Sequence, residues 1–261
     1  MKQYQGYLLD LDGTIYRGKK VIPEAIPFIS QLREEGTPFL YLTNNSSALP
    51  ETVAERLTAM GLPTEKEQVY TSSMATAAYL RERADRGTRM LVIGETGLRH
   101  ALEESGFVLD EDNPAYVVVG IDRAFTYGKL SAAARAIRGG AVFLATNSDP
   151  ALPMETGLEP GNGSLVAAIS VASGAKPVVI GKPEKLIVDY ALAKLGTPRE
   201  QTIIVGDNLH TDIAAGKNSG MDSLLVLTGY STAADAAEAA AKPTYIAENV
   251  WAWREQMRSG V

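Results

Sequence analysis

At 261 residues the chain is long enough for one large domain or for a domain carrying a substantial insertion. Hydrophobic residues make up 45% and charged residues 21%, and the formal net charge of -6 argues against a nucleic-acid partner held by a broad basic face. There are no cysteines, which excludes a disulfide scaffold, thiolate metal sites and a Cys nucleophile and fits a reducing compartment. The first residues enter an apolar strand directly, leaving no room for a signal peptide, and no apolar run reaches the length of a membrane span. The expected address is the cytoplasm, with no membrane partner.

In chain order, apolar patterning predicts a strand at 6–9. It is closed by Asp10-Leu11-Asp12-Gly13-Thr14, where two carboxylates two residues apart end a core strand. Arg17, Lys19 and Lys20 make a basic turn, and Pro23 opens an amphipathic helix over 23–33. A buried strand at 39–42 runs into Thr43-Asn44-Asn45-Ser46-Ser47, a helix covers 51–60, and a short strand follows at 69–70. Strands and helices alternating over short connections predict a parallel sheet covered on both faces. The alternation resumes with strands at 90–93, 116–120 and 141–145 and helices at 98–105, 130–137 and 165–172. A strand at 178–180, a helix over 183–195, a strand at 202–205, a short helix near 213–217 and a strand at 224–227 complete the pattern. The Ala-rich stretch 233–241 reads as an exposed helix of high propensity.

Chemically loaded strand ends are confined to a few places. They are Asp10 with Asp12, Thr43 with Asn44 and Asn45, Lys182 in Gly181-Lys182-Pro183, and Asp207 in Gly206-Asp207-Asn208-Leu209-His210-Thr211-Asp212. The middle third carries no comparable cluster of carboxylates. Ligands of open parallel sheets sit at the carboxyl ends of strands, so the loaded ends are expected to share one sheet. The expected organisation is a core of residues 1–77 plus 179–261, interrupted by a smaller α/β domain inserted over 78–178.

Asp10, Asp12 and Asp207 brought to one sheet edge would repel one another without a compensating cation. Oxygen ligands without His or Cys favour magnesium. Lys182 and the Thr43 hydroxyl supply the positive charge and the donor that a phosphoryl group needs. Asp10 is then a candidate nucleophile, and Asp12 a candidate general acid and base. Each cluster alone has a plainer reading: a turn with a helix cap at Thr43–Asn45, a surface Lys before a Pro-started helix at Lys182, a helix cap at Asp207. Their joint appearance, each at a strand end or helix start, favours the chemical one.

Together, DLDGT at 10–14, Thr43-Asn44-Asn45, Gly181-Lys182-Pro183 and GDNLHTD at 206–212 resemble the four motifs of the haloacid dehalogenase (HAD) superfamily of phosphatases. The place of the insertion and the TNNS, GKP and AGKNSGM stretches resemble its NagD-like, nitrophenylphosphatase branch, which has a large α/β cap of type C2. The resemblance implies an α/β fold with a Rossmann-like parallel-sheet core. It implies a magnesium-dependent phosphatase that hydrolyses small phosphate monoesters (sugar phosphates, nucleotides, p-nitrophenyl phosphate as surrogate) through an aspartyl-phosphate. In it Asp10 is nucleophile and metal ligand, Asp12 is acid/base with its backbone carbonyl on the metal, and Asp207 is the second carboxylate ligand. Thr43 and Lys182 hold the phosphoryl oxygens, beside Asn44 and Asn45, and Lys182 also relieves the charge on Asp10. Asp212, with Asn208, orients metal-bound water or neighbouring side chains.

The cap is expected to exclude water and to favour a homodimer through its extra surface. Asn147-Ser148-Asp149 and 160–164 lie where the family's cap faces the core. The Gly-rich helix start at 161–165 either binds an anion through free backbone N–H groups or is a loop and N-cap. Arg17, Lys19 and Lys20 either line the entry or stay exposed turn residues. The alternative from another class is a phospho-aspartyl switch or nucleotide-binding module without turnover, which would need neither Asp12 as proton carrier nor a large cap.

Overall fold

Asp10 follows the strand Gly6–Leu9, whose four residues are all buried. In the computed structural model, which describes residues 2–154 and 157–259, this strand is central to a six-stranded sheet. The sheet runs Tyr245–Ala247, Asp222–Val226, Thr202–Gly206, Gly6–Leu9, Phe39–Thr43 and Val69–Thr71. The four pairings from Tyr245–Ala247 through Phe39–Thr43 are parallel. Leu9 lies level with Val205 on one side and Tyr41 on the other. From the central strand the chain first builds outward through Phe39–Thr43, and returns much later to build the other side from Thr202–Gly206. The direction reverses between Gly6–Leu9 and Thr202–Gly206, which is where an open parallel sheet leaves a crevice at its carboxyl edge. Aromatic packing anchors one face: Tyr7 meets Phe28 at 5.8 Å and Trp253 at 6.0 Å, both edge-on. Such pairs contribute about 0.5–1.5 kcal/mol each beyond burial of their area.

Two compact units emerge along the chain, one of residues 1–43, 51–70 and 182–261, the other of 44–50 and 71–181. The expected boundaries at 77/78 and 178/179 therefore differ from this division. The helix Ser72–Arg81 belongs to the second unit because Ala77 and Leu80 pack with Leu98 and Leu102 there. The short segment 44–50 is tied to the same unit by polar bonds. Ser72 Oγ donates to the Asn44 carbonyl at 2.8 Å, Ser73 Oγ to the Ser46 carbonyl at 3.0 Å, and the Gly97 N–H to the Ser47 carbonyl at 2.9 Å.

The second unit has its own five-stranded parallel sheet, ordered Val178–Val179, Val142–Ala145, Tyr116–Val119, Arg89–Ile93 and Val108–Leu109. Alternate residues of one strand serve opposite faces. Leu91 and Ile93 join the core under the helices Tyr127–Arg138 and Asn162–Ser173, while Met90 and Val92 join the core under Ser72–Arg81 and Thr96–Glu104.

Two hairpins were not apparent from patterning, and one expected helix is shorter than its composition implied. The basic turn is the tip of a two-stranded hairpin, Tyr16–Arg17 with Lys20–Val21. A second, antiparallel hairpin pairs Ala151–Met154 with Gly157–Pro160. The Ala-rich helix spans only Ala233–Glu238, started by a reciprocal Thr232–Asp235 cap. It ends where the Lys242 ammonium donates to the carbonyls of Ala236 and Ala237 and takes the place of further turns. Among the described residues no helix is long and apolar enough to cross a membrane.

Candidate active site

Three carboxylates and one ammonium converge at the carboxyl edge of the first unit's sheet. Asp10 directly follows the central strand, its N–H bonded to the Val205 carbonyl at 2.8 Å. Asp207 follows the neighbouring strand Thr202–Gly206. Asp212 comes from one wide π-helical turn, Leu209–Ile213, that leads into the helix Ala214–Ser219. One carboxylate oxygen from each of Asp10, Asp207 and Asp212 lies within 4.8 Å of the others. Lys182 is 2% exposed, and its Nζ donates to Asp10 Oδ1 at 2.5 Å, Asp212 Oδ1 at 2.7 Å and the Leu42 carbonyl at 3.0 Å. Its three protons thus have three acceptors.

The electrostatics follow from burial. Burial pulls the Lys182 ammonium down, but the facing Asp10 and Asp212 carboxylates outweigh it and hold the group above its ordinary value. Burial raises the Asp10 carboxyl well above the usual carboxylate range against the pull of Lys182, with Asp212 and Asp207 adding repulsion. Burial and the Asp212 charge push Asp207 up to about 7, opposed by the Tyr230 N–H. One ammonium does not satisfy three carboxylates in this space. A buried set of oxygen donors short of positive charge suits a hard divalent cation, and the chain offers it no thiolate.

The loop after Asp222–Val226 shapes the Asp207 seat. The Tyr230 N–H donates to Asp207 Oδ2 at 2.5 Å and the Ser231 N–H to the Asp207 carbonyl at 3.0 Å. Two glycines permit this close approach. A Cβ at Gly229 would stand 1.9 Å from Asp207 Oδ2, and one at Gly13 2.3 Å from it, with Gly13 also at φ +85°.

The sequence-level set is only partly gathered. The third carboxylate of the cluster is Asp212 instead of Asp12. Asp12 lies beyond the strand in a tight turn, in which the N–H groups of Thr14, Ile15 and Tyr16 all point to the Leu11 carbonyl. Its exposed side chain accepts from the Tyr16 hydroxyl at 3.0 Å. Thr43 is buried at the end of Phe39–Thr43. Asn44 and Asn45 belong to the second unit. Asn44 Nδ2 donates there to Asp149 Oδ2 at 2.9 Å, and Asn45 Oδ1 accepts from the Ser47 N–H and hydroxyl at 2.8 Å each. Asn208 caps the π-helical turn by accepting from the His210 N–H at 2.9 Å, and its own N–H donates to Asp212 Oδ2 at 3.2 Å.

Of the two readings of the Gly-rich helix start, the loop-and-cap one holds in the second unit. The Gly161 and Gly163 N–H groups are taken by the Pro150 and Asp149 carbonyls at 3.0 and 2.8 Å. Sequence reasoning missed Gly229, Tyr16 and Arg56. A Gly two residues past the predicted strand at 224–227 was the only local sign of the first. The other two carried none.

The fold and these groups define an α/β protein that gathers three carboxylates and one ammonium at the carboxyl edge of a parallel sheet. The haloacid dehalogenase-like hydrolase model matches residues 7–108, and a HAD-hydrolase-like model matches 179–253. The 5'-nucleotidase YutF of Bacillus subtilis is 47% identical over 253 residues, 97% of this chain and 98% of that protein. The crystal structure of a 4-nitrophenylphosphatase from Thermotoga maritima superposes with a TM-score of 0.92 at 37% identity, covering 97% of each chain. A glycerol phosphate phosphatase from Mycobacterium tuberculosis, solved in complex with magnesium, gives 0.90 at 37% identity over 96% of this chain and 78% of that one. The chain belongs to the haloacid dehalogenase-like hydrolases, and the resemblance read from its four motifs is borne out.

Proposed function

We propose that this chain is a magnesium-dependent phosphatase of small phosphorylated metabolites that works through an aspartyl-phosphate on Asp10. The observation that carries the reading is the buried Asp10–Lys182–Asp212 set beside Asp207. Asp10, Asp207 and the backbone carbonyl of Asp12 would hold magnesium, with Asp212 as the third carboxylate nearby. When bound, it offsets the negative charge of the site and of a phosphoryl group. Asp10 attacks phosphorus while Asp12 gives its proton to the ester oxygen, so the P–O bond breaks and a neutral alcohol leaves. Asp12, now a carboxylate, takes a proton from water, which attacks the phosphorus and releases inorganic phosphate and free Asp10. Lys182 holds Asp10 in place and, with Thr43, meets the phosphoryl oxygens.

The second unit, which interrupts the first along the chain, serves as the cap, and Asn44 and Asn45 as part of the substrate-binding set. Nucleotides and sugar phosphates are the substrate classes this reading favours, in keeping with relatives named for a nucleotide and for glycerol phosphate. The lack of cysteines fits the reducing cytoplasm, and a homodimer is the favoured assembly.

Phosphate release from a panel of sugar phosphates, nucleotides and nitrophenyl phosphate, with magnesium and then with chelator, tests the reading. The expected result is many phosphates per chain, lost on chelation. One stable phosphoryl adduct per chain would replace the enzyme with a phospho-aspartyl switch.

Gly229→Ala probes the metal seat. Its Cβ displaces Asp207, so the magnesium concentration for half-maximal thermal stabilisation is expected to rise about 10-fold or more, the size typical of disturbed ligand supports. An unchanged midpoint would remove Asp207 from the metal site.

A further inference from the structure

Behind the proton carrier stands a pair of residues outside the four motifs. Tyr16 is 1% exposed, and its hydroxyl donates to Asp12 Oδ2 at 3.0 Å. The Arg56 guanidinium, from the helix Pro50–Ala59, donates in turn to the Tyr16 hydroxyl oxygen and lies 4.7 Å from the centre of its ring. The tight turn from Leu11 fixes where the tyrosine stands: the Tyr16 N–H donates to the Leu11 carbonyl and the Gly13 N–H to the Tyr16 carbonyl. Asp12 and Tyr16 also form an isolated bridge.

The direction of this chain is set by donor chemistry. A guanidinium has no acceptor, so the phenol oxygen must accept from Arg56, and its single proton is left for Asp12. Asp12 Oδ2 is then an acceptor, and the transferable proton of the acid form sits on Oδ1. We infer that Tyr16, polarised by Arg56, is a positioning residue that holds the Asp12 carboxyl so that only Oδ1 carries protons to and from the substrate. The inference rests on the role of Asp12 proposed above. Neither residue need touch substrate. In the transfer itself the Oδ1–H bond breaks, the proton passes to the ester oxygen, and that oxygen keeps the electron pair of the broken P–O bond.

Tyr16→Phe retains the ring beside Arg56 and deletes only the hydroxyl. The test compares kcat/KM for glycerol phosphate, whose alkoxide leaves only if protonated, with that for nitrophenyl phosphate, whose phenolate leaves without help. Tyr16→Phe is expected to lose about tenfold on glycerol phosphate and much less on nitrophenyl phosphate. That loss is a fraction of the 10²- to 10⁴-fold that a positioned proton carrier supplies. Arg56→Met should tilt the two esters the same way by a smaller factor, and Arg56→Lys, which restores a cationic donor, should recover most of it.

Asp12→Ala is run beside them. If it splits the two esters while Tyr16→Phe lowers both equally or neither, the positioning role is overturned. If Asp12→Ala itself shows no split, the acid assignment falls, and this inference with it. Thermal unfolding of each variant separates misfolding from chemistry. Should Tyr16→Phe not fold, the exposed Arg56 side chain allows the same comparison through Arg56→Met and Arg56→Lys, and a loss equal on both esters there overturns the role as well.

Discussion

Asn in place of Asp10 is expected to lower nitrophenyl phosphate turnover by about 10⁴-fold or more, the scale seen when a covalent hydrolase loses its nucleophile. The fold should survive, because the substitution is isosteric and Lys182 keeps the Asp212 carboxylate at 2.7 Å and the Leu42 carbonyl at 3.0 Å. A neutral Asn also removes the cost of burying the Asp10 charge, the main cause of its raised carboxyl, and the repulsion that Asp212 and Asp207 add to it. Without magnesium, the melting temperature of the variant is therefore expected to equal or exceed that of the unaltered protein. Steady-state assay and a thermal melt on the same preparation check both halves. Substantial residual turnover in a well-folded variant would move the nucleophile elsewhere.

Lys182→Met should be the most destabilising of these changes. It leaves the buried Asp10 and Asp212 carboxylates facing no cation, and breaking a buried pair in this way typically costs about 3–5 kcal/mol. The cost should depend on pH with a definite sign. Asp207 rises from an ordinary value of about 3.9 to about 7 in the folded chain, and without Lys182 the Asp10 carboxyl climbs further above its range. Between those values the folded state keeps protons that the unfolded chain has released. Stability from these groups is therefore complete below the unfolded value and lost as pH rises through the folded one.

Denaturant unfolding with chelator present should show the variant falling further behind the unaltered protein as pH goes from about 4 to about 7. Adding magnesium should stabilise the variant by about 2.7 kcal/mol at 100 times its own dissociation constant if it binds only the folded state, and should narrow the gap to the extent that it binds the variant's unneutralised carboxylates more tightly. A gap independent of both pH and magnesium would deny that Lys182 neutralises the carboxylates. Turnover should fall as well, since Asp10 loses the group that holds it.

The strands that carry the site were legible because each is a short apolar run. Gly6–Leu9, Phe39–Thr43 and Thr202–Gly206 are buried along their whole length, and a parallel sheet covered on both faces demands that pattern. The residues that break the pattern at their ends, Asp10, Thr43 and Asp207, were conspicuous for the same reason. Elements whose stability comes from distant partners were not legible. The hairpin Tyr16–Arg17 with Lys20–Val21 has only two residues per strand, too few for an alternation to register. Tyr245–Ala247 is edge to the sheet through its pairing with Asp222–Val226, and Val250–Ser259 is fixed by Trp253 against Tyr7. In the second unit, the helix Ser72–Arg81 is rich in small residues and has little amphipathic stripe; its place is decided by the partners it packs on.

Within the site, the sequence by itself determined the chemistry: which groups end strands, that they are oxygen donors with a single Lys, and that Asp10 and Asp12 stand two residues apart. Residue type and local spacing suffice for that, because a carboxylate at the end of a buried strand is costly wherever the strand lies. Only the tertiary structure decided which of these groups meet. Thr202–Gly206 lies against Gly6–Leu9 although most of the chain separates them, and that pairing brings Asp207 to Asp10. One π-helical turn carries Asp212 into the cluster, and one tight turn carries Asp12 out of it to Tyr16 and Arg56. Side-chain direction at the end of an element depends on turn geometry and on what packs behind it, and neither leaves a period in the sequence.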